Sequence, residues 1–295
     1  MPLSPWLTPA LIGRLDALEL SVKWVRAGQR LGGRFAINRR GSSVEFADYA
    51  AYAPGDDIRS IDWNLYARLD KLFVKTYREE IELSVDVLID ATTSMGLPTR
   101  AKLDRAEALG WSLAYVGVAS HHQVRVSRVK PGTLSVTSPM WQRGDWHRLA
   151  SEQAAVSPSG SVRLPDWMLQ AAAALRMRGG QAIVITDGMY PPAELFRALG
   201  VLRHRHMEVK LLQVLTDDEL HPAKLFQGGA VIDSETGQAR ELGYRAEELE
   251  HAMLTHNETL ARYCLRNGIP FAQDRLHESL ETFVLRTLPV RGFLE

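Results

Sequence analysis

Asp90, Thr92 and Ser94 stand at alternate positions in Ile89-Asp90-Ala91-Thr92-Thr93-Ser94-Met95, a D-x-T-x-S pattern that offers a carboxylate and two hydroxyls. A second carboxylate, Asp187, lies in Ile185-Thr186-Asp187-Gly188. Each follows an apolar run that reads as a strand: Ile81, Leu83, Val85, Val87 and Ile89 alternate toward Asp90, and residues 181–186 contain a continuous apolar stretch ending at Asp187. In an open α/β sheet, ligands bind outside the carboxyl ends of strands, where strand order reverses. If these two strands are neighbours at that reversal, two carboxylates and two hydroxyls meet in one crevice. All are oxygen donors, which suit a small hard cation such as Mg2+ or Mn2+ that keeps some of its water. So few protein oxygens leave coordination positions open to an acidic residue supplied by a partner.

The elements that must position these groups alternate along the chain. Further strands are expected at 209–215 and 269–272, with helices at about 101–119, 165–178, 192–204, 245–267 and 277–285; Pro165 and Pro192 suit first-turn positions. Residues 123–129 and 133–137 resemble a hairpin around Pro131 and Gly132, with a helix expected near Trp146. Strands separated by helices imply a mostly parallel sheet, because parallel neighbours need long crossovers. Before it, Leu11, Leu15, Leu18, Val22 and Val25 recur at helical spacing and predict an amphipathic helix over 8–28, followed by a Gly- and Arg-rich loop at 30–43. Gly228, Gly229 and Gly237 mark turns in a small β insertion near 222–242. The expected organisation is an N-terminal extension over 1–80 and an α/β domain over 81–295.

Composition narrows the function classes. At 295 residues, 45% hydrophobic and 24% charged, the chain is neither disordered, collagenous nor a coiled coil. Its 35 basic and 35 acidic residues cancel, so no global field draws a nucleic acid or an anionic membrane. No apolar run reaches the roughly 20 residues of a membrane helix. Residues 1–20 carry no basic leader, and Asp16 and Glu19 interrupt what would be an export core, so a cytoplasmic location without membrane insertion is expected. The single cysteine, Cys264, allows no intrachain disulfide. Phosphate-loop, nucleophile-elbow and H-E-x-x-H patterns are absent from the sequence. His251 and His256, five apart on a predicted helix, do not share a face as paired ligands would.

Two sets of residues carry a resemblance. The D-x-T-x-S loop and Thr186-Asp187-Gly188 are similar to the metal-ion-dependent adhesion motif of von Willebrand factor A-type domains. Ser42–Tyr49, Tyr52–Asn64 with its Pro54-Gly55-Asp56-Asp57-Ile58-Arg59 core, Ala67-Arg68 and Leu72–Lys75 resemble the signature of the bacterial domain-of-unknown-function 58 family. That resemblance implies a von Willebrand A-like α/β fold with an open, mostly parallel sheet flanked by helices, and places the strands ending at Asp90 and Asp187 side by side. It implies no established catalytic activity and a frequent genetic association with MoxR-type AAA+ ATPases.

By the same resemblance, Asp90, Thr92, Ser94 and Asp187 match the first and last adhesion loops, with Thr92 standing where serine is usual. The middle-loop hydroxyl falls to Ser161, in Ser157-Pro158-Ser159-Gly160-Ser161-Val162. Local turn chemistry explains the Pro54–Asp57 stretch; contact with a partner through Asp56, Asp57 and Arg59 is the other reading. The expected function is a non-enzymatic interaction module with an Mg2+- or Mn2+-dependent face, serving a MoxR-type ATPase as adaptor or client. The alternatives are a phosphohydrolase using Asp90 and a metal-independent scaffold. In a haloacid-dehalogenase-like phosphohydrolase a second aspartate commonly follows two residues after the first, where Thr92 stands here.

Overall fold

In a computed structural model of the protein, residues 7–22, 44–53, 58, 61–79, 83–130, 133–145, 163–174, 177, 179–221, 230–232, 239–241 and 246–295 are described. The Gly- and Arg-rich stretch at 30–43 and the helix expected near Trp146 lie outside them. Helix α1 (Pro9–Leu15) comes first. Strand β1 (Val44–Ala51), helix α2 (Trp63–Leu69) and strand β2 (Phe73–Glu79) follow. Next come β3 (Ser84–Ile89), α3 (Ala101–Ala119), β4 (Gln123–Lys130) and β5 (Thr133–Val136). Helix α4 (Leu164–Ala174), β6 (Gln181–Thr186), α5 (Pro192–His204), β7 (Glu208–Val214) and the short α6 (Asp217–Leu220) lead to a small hairpin. That hairpin, β8 (Ala230–Ile232) with β9 (Ala239–Glu241), is the β insertion expected near 222–242. Helix α7 (Ala246–Arg266), β10 (Phe271–Asp274) and a helical run of α8 (Leu280–Thr282), a π-helical turn (Phe283–Thr287) and α9 (Leu288–Val290) complete the chain.

Two compact units result, one of Met1–Gly32 with Leu83–Glu295 and the other of Gly33–Glu82. In the larger, six strands lie in the order β10-β7-β6-β3-β4-β5, all parallel except β5, which returns antiparallel along β4. From β3 the chain moves outward one way to β4 and β5, then crosses back to β6 on the other side. The strand order therefore reverses between β3 and β6. This is the open, mostly parallel sheet flanked by helices that the resemblance implies.

The central strands are buried on both faces, which explains their unbroken apolar runs. Leu88 and Val184 face a cluster with Trp167, Leu195, Leu199 and Leu260 from α4, α5 and α7. Ile89 and Ile185 face α3, where Gly110 permits close approach: an added Cβ would lie 2.5 Å from Ile89 Cδ1. Helix α3 is buried almost all round, the state expected of a helix apolar on every face. No helix among the described residues is long and apolar enough to cross a membrane.

The predicted helix over 8–28 stops at Leu15. Glu19 and Glu295 exchange backbone hydrogen bonds of 2.9 Å, the Ser21 N–H donates to the Phe293 carbonyl at 3.1 Å, and Leu20 bridges Leu294. Lys210, fully buried in β7, donates to the carbonyls of Ser21 (2.5 Å) and Phe293 (2.9 Å). This tertiary pairing overrides helical propensity. It also divides the expected 1–80 extension, whose first part joins the larger unit. Two smaller shifts occur near the C-terminus: the strand expected at 269–272 is Phe271–Asp274, and the helix expected over 277–285 begins at Leu280, capped by Ser279, and runs on through the π turn.

In the smaller unit β1 and β2 pair antiparallel, with a register shift between Phe46 and Asp48. Asp62 caps α2, accepting from the backbone N–H groups of Asn64 (3.0 Å) and Leu65 (3.2 Å) and from the Tyr49 hydroxyl (3.1 Å). The Asp62-Trp63-Asn64 part of the signature is thus a helix start.

Gly180 sets the entry to β6. Its φ is +80° and an added Cβ would lie 2.0 Å from the Ser84 carbonyl oxygen, whereas Gly179, at φ +70°, faces open space. Gly180→Ala should cost about 3 kcal/mol or more in denaturant unfolding, and Gly179→Ala only about 1 kcal/mol. Equal losses would contradict the close approach of these two strands.

Candidate functional site

Asp90 is the first residue beyond β3 and Asp187 the first beyond β6, and these strands pair in parallel with Ile89 opposite Ile185. The Asp90 N–H continues the ladder to the Ile185 carbonyl at 2.9 Å. Both carboxylates therefore sit at the reversal of strand order, both fully buried. Asp90 Oδ1 accepts from the Thr92 N–H (3.0 Å) and hydroxyl (2.7 Å), and Oδ2 from the hydroxyls of Thr186 (2.7 Å) and Tyr190 (3.0 Å). Four donors occupy all the lone-pair positions of an ionised carboxylate.

Thr92 precedes a turn of 3-10 helix (Thr93–Gly96) that turns the chain toward α3 and carries Ser94. The two hydroxyl oxygens lie 3.2 Å apart, and the Tyr190 hydroxyl is 3.3 Å from Thr92 Oγ1. Ser94 is partly exposed while Thr92 is buried, so the site opens at Ser94.

Asp187 has a counter-ion. Lys102, in the first turn of α3, is fully buried and its Nζ donates to Asp187 Oδ2 at 3.1 Å and to Glu219 Oε1. Asp187 Oδ1 accepts from the Met189 N–H at 3.1 Å. Glu219 closes the capping box of α6: its Oε2 accepts from the Thr216 N–H (2.9 Å) and hydroxyl (3.0 Å). Helix α7 fixes the loop beyond. Gln213 Nε2 donates to the Asp187 carbonyl and to Asn257 Oδ1, both at 2.8 Å, and His256 Nε2 donates to the Gly188 carbonyl at 2.8 Å.

Burial, followed by the nearby Asp187 charge, pushes the Asp90 carboxyl up to about 6, against the hydrogen bonds from Thr186 and Thr92 that favour its ionised form. For Lys102, burial alone would lower the ammonium, but the Asp187 and Glu219 charges outweigh it and raise it, so the lysine stays protonated.

Among the described residues no group of three or more His, Cys, Asp or Glu side chains is placed to hold a metal. The donors here are of another kind. Neighbouring ligands of an octahedral ion bound at about 2.1 Å lie roughly 3.0 Å apart, close to the 3.2 Å between the Thr92 and Ser94 hydroxyls. Thr92 Oγ1 gives its proton to Asp90 and keeps lone pairs for a cation. Two hydroxyls in the field of two carboxylates fit a hard divalent ion, with Asp90 supplying charge and orientation.

Residues 48–259 match the family described as Protein of unknown function DUF58. The chain belongs to this family. The matched stretch holds Asp90, Lys102, Asp187, Tyr190 and Glu219, so the whole described site lies within the DUF58 region. An uncharacterised protein of Mycobacterium tuberculosis is 26% identical over 275 residues, 90% of this chain and 85% of that protein. Among solved structures, the conserved hypothetical protein BatB from Bacteroides thetaiotaomicron is similar at 16% identity and a TM-score of 0.43, covering 71% of this DUF58 chain and 98% of BatB. The SpRpn10 VWA domain is similar at 10% identity and a TM-score of 0.45, covering 72% and 98% of the two chains.

The structure brings Asp90, Thr92, Ser94 and Asp187 of this DUF58 protein together. Ser161, Asp56, Asp57 and Arg59 lie outside the described residues. Sequence reasoning missed Lys102, Tyr190 and Glu219. Tyr190 follows Asp187 by three residues, a usable signal; nothing local ties Lys102 or Glu219 to the site.

The raised Asp90 group has a stability consequence. Between about pH 6 and 4 the folded protein takes up a proton that the unfolded chain, with its ordinary carboxyl near 3.8, does not. The stabilising contribution is therefore present at low pH and lost as pH rises through 6. Relative to Asp90→Asn, the wild type should gain stability when denaturant unfolding is moved from pH 7 to pH 5. A difference constant with pH would show that Asp90 titrates normally.

Proposed function

We propose that this DUF58 protein is a non-enzymatic interaction module whose Mg2+ or Mn2+ ion is held by Thr92 and Ser94 and completed by a carboxylate from a protein partner. The observation carrying this reading is the pair of hydroxyls 3.2 Å apart, opening to solvent at Ser94, beside two buried carboxylates at the strand-order reversal. Ser161 is the proposed middle-loop ligand, and Asp56, Asp57 and Arg59 a second contact surface. Bound, the ion supplies an electrophilic centre for a partner's acidic side chain. Asp90 orients the Thr92 hydroxyl and, with Asp187, supplies negative charge. Tyr190 and Thr186 hold Asp90 in place.

The proposed partner is a MoxR-type AAA+ ATPase, for which this protein is adaptor or client; that part rests on family resemblance alone. The saturated hydrogen bonding of Asp90 supports a non-enzymatic role, because a phosphohydrolase nucleophile needs an oxygen directed at substrate.

Calorimetric titration at pH 7.5 should show Mn2+ and Mg2+ binding that Asp90→Ala abolishes and Ser94→Ala weakens about tenfold or more. Binding should fade below about pH 6 as the Asp90 carboxyl takes up its proton. A purified MoxR-type ATPase without nucleotide should bind in Mg2+ and be released by chelator. Equal binding in chelator would favour the metal-independent scaffold, and turnover of a generic phosphate ester lost in Asp90→Ala would favour the phosphohydrolase.

A further inference from the structure

Lys102 brings a positive charge into the site that opposes a cation. Its ammonium is fully buried and donates to the carboxylate oxygen Asp187 Oδ2, so part of the negative field proposed to hold a metal is already neutralised by the protein's own positive charge. A buried ion pair of this kind adds little to stability when it is merely structural, since desolvation offsets much of its attraction. This one also bridges two places. Through Glu219 the same ammonium reaches the capping box at the start of α6, and Glu219 stands nearer solvent, with its side chain 20% exposed against 1% for Asp187. Lysine is a point charge on a flexible stem, able to shift its weight between two carboxylates without leaving either pocket.

We propose that Lys102 is a built-in counter-ion competing with the divalent metal for Asp187, so that loading the site moves the ammonium onto Glu219 alone. The inference rests on the metal-binding reading of the Thr92–Ser94 site. Lys102 thereby sets the affinity of the site, keeping it weak until a partner carboxylate adds to the ion's coordination. It also makes α6 the element that responds to loading, because Glu219 must then balance the whole lysine charge while still capping the helix.

Two variants of the full chain give opposite signs under this mechanism. Lys102→Met removes the competing charge, and Mn2+ should bind about tenfold or more tightly than to wild type. Glu219→Gln retains an amide oxygen able to close the capping box but removes the ammonium's second carboxylate. Lys102 then belongs to Asp187 alone, and Mn2+ should bind several-fold more weakly. Calorimetry on wild type, both variants and Asp90→Ala, with circular dichroism to confirm folding, decides the matter; if Lys102→Met fails to fold, the sign of Glu219→Gln decides it alone. Binding by Lys102→Met where wild type is silent would support the competition. Wild-type binding abolished by Asp90→Ala, with Glu219→Gln unchanged or tighter, or with both variants weakened alike, would overturn the competition and leave the metal site standing. Absence of binding in every form would overturn both.

Discussion

Two buried carboxylates at the ends of adjacent parallel strands are the constraint to which the rest of the larger unit answers. Asp90 and Asp187 are both fully buried, and burial together with the Asp187 charge raises the cost of ionising Asp90. The protein meets that cost in two ways. Asp90 is wrapped in four hydrogen-bond donors, three of them hydroxyls or amides from its own loop and the next strand. Asp187 receives an ammonium from α3, and that ammonium is anchored in turn by Glu219. A divalent ion at Thr92 and Ser94 would be a further neutralising charge, placed where the site reaches solvent.

This arrangement requires β3 and β6 to be immobile, and the packing secures them. Both strands are covered on both faces, with α3 on one side and α4, α5 and α7 on the other. The ends of the chain then cover α3: residues 19–21 pair with 293–295, and buried Lys210 pins both segments by their carbonyls. Helix α7 adds a second hold on the Asp187 loop through Asn257, Gln213 and His256. Backbone and side-chain hydrogen bonds thus fix the loops that carry the chemistry on a scaffold that has little freedom to rearrange.

Much of this was legible in the residues themselves. The apolar runs before Asp90 and Asp187 read as buried strands because a sheet covered on both faces needs them, and α3 and α5 have the limits their patterns predict. The segment 18–22 shows where pattern reading fails. Leu18, Leu20 and Val22 alternate with Glu19 and Ser21, while Leu15, Leu18 and Val22 also satisfy helical spacing; the choice was made by the far C-terminus, which no local window contains. Lys102 and Glu219 were invisible for the same reason. A lysine in the first turn of a helix and a glutamate in a capping box each have sufficient local explanations, and only the fold brings them to Asp187. His256, which shares no helix face with His251, serves as a donor to the Gly188 carbonyl.

The most direct test of the central claim is an anomalous difference map from crystals of this protein soaked in Mn2+. The account requires a peak within coordination distance of both Thr92 Oγ1 and Ser94 Oγ, at about 2.0–2.4 Å as for hard cations on oxygen. A map with no peak there, or with manganese bound only at sites remote from Asp90 and Asp187, would contradict it.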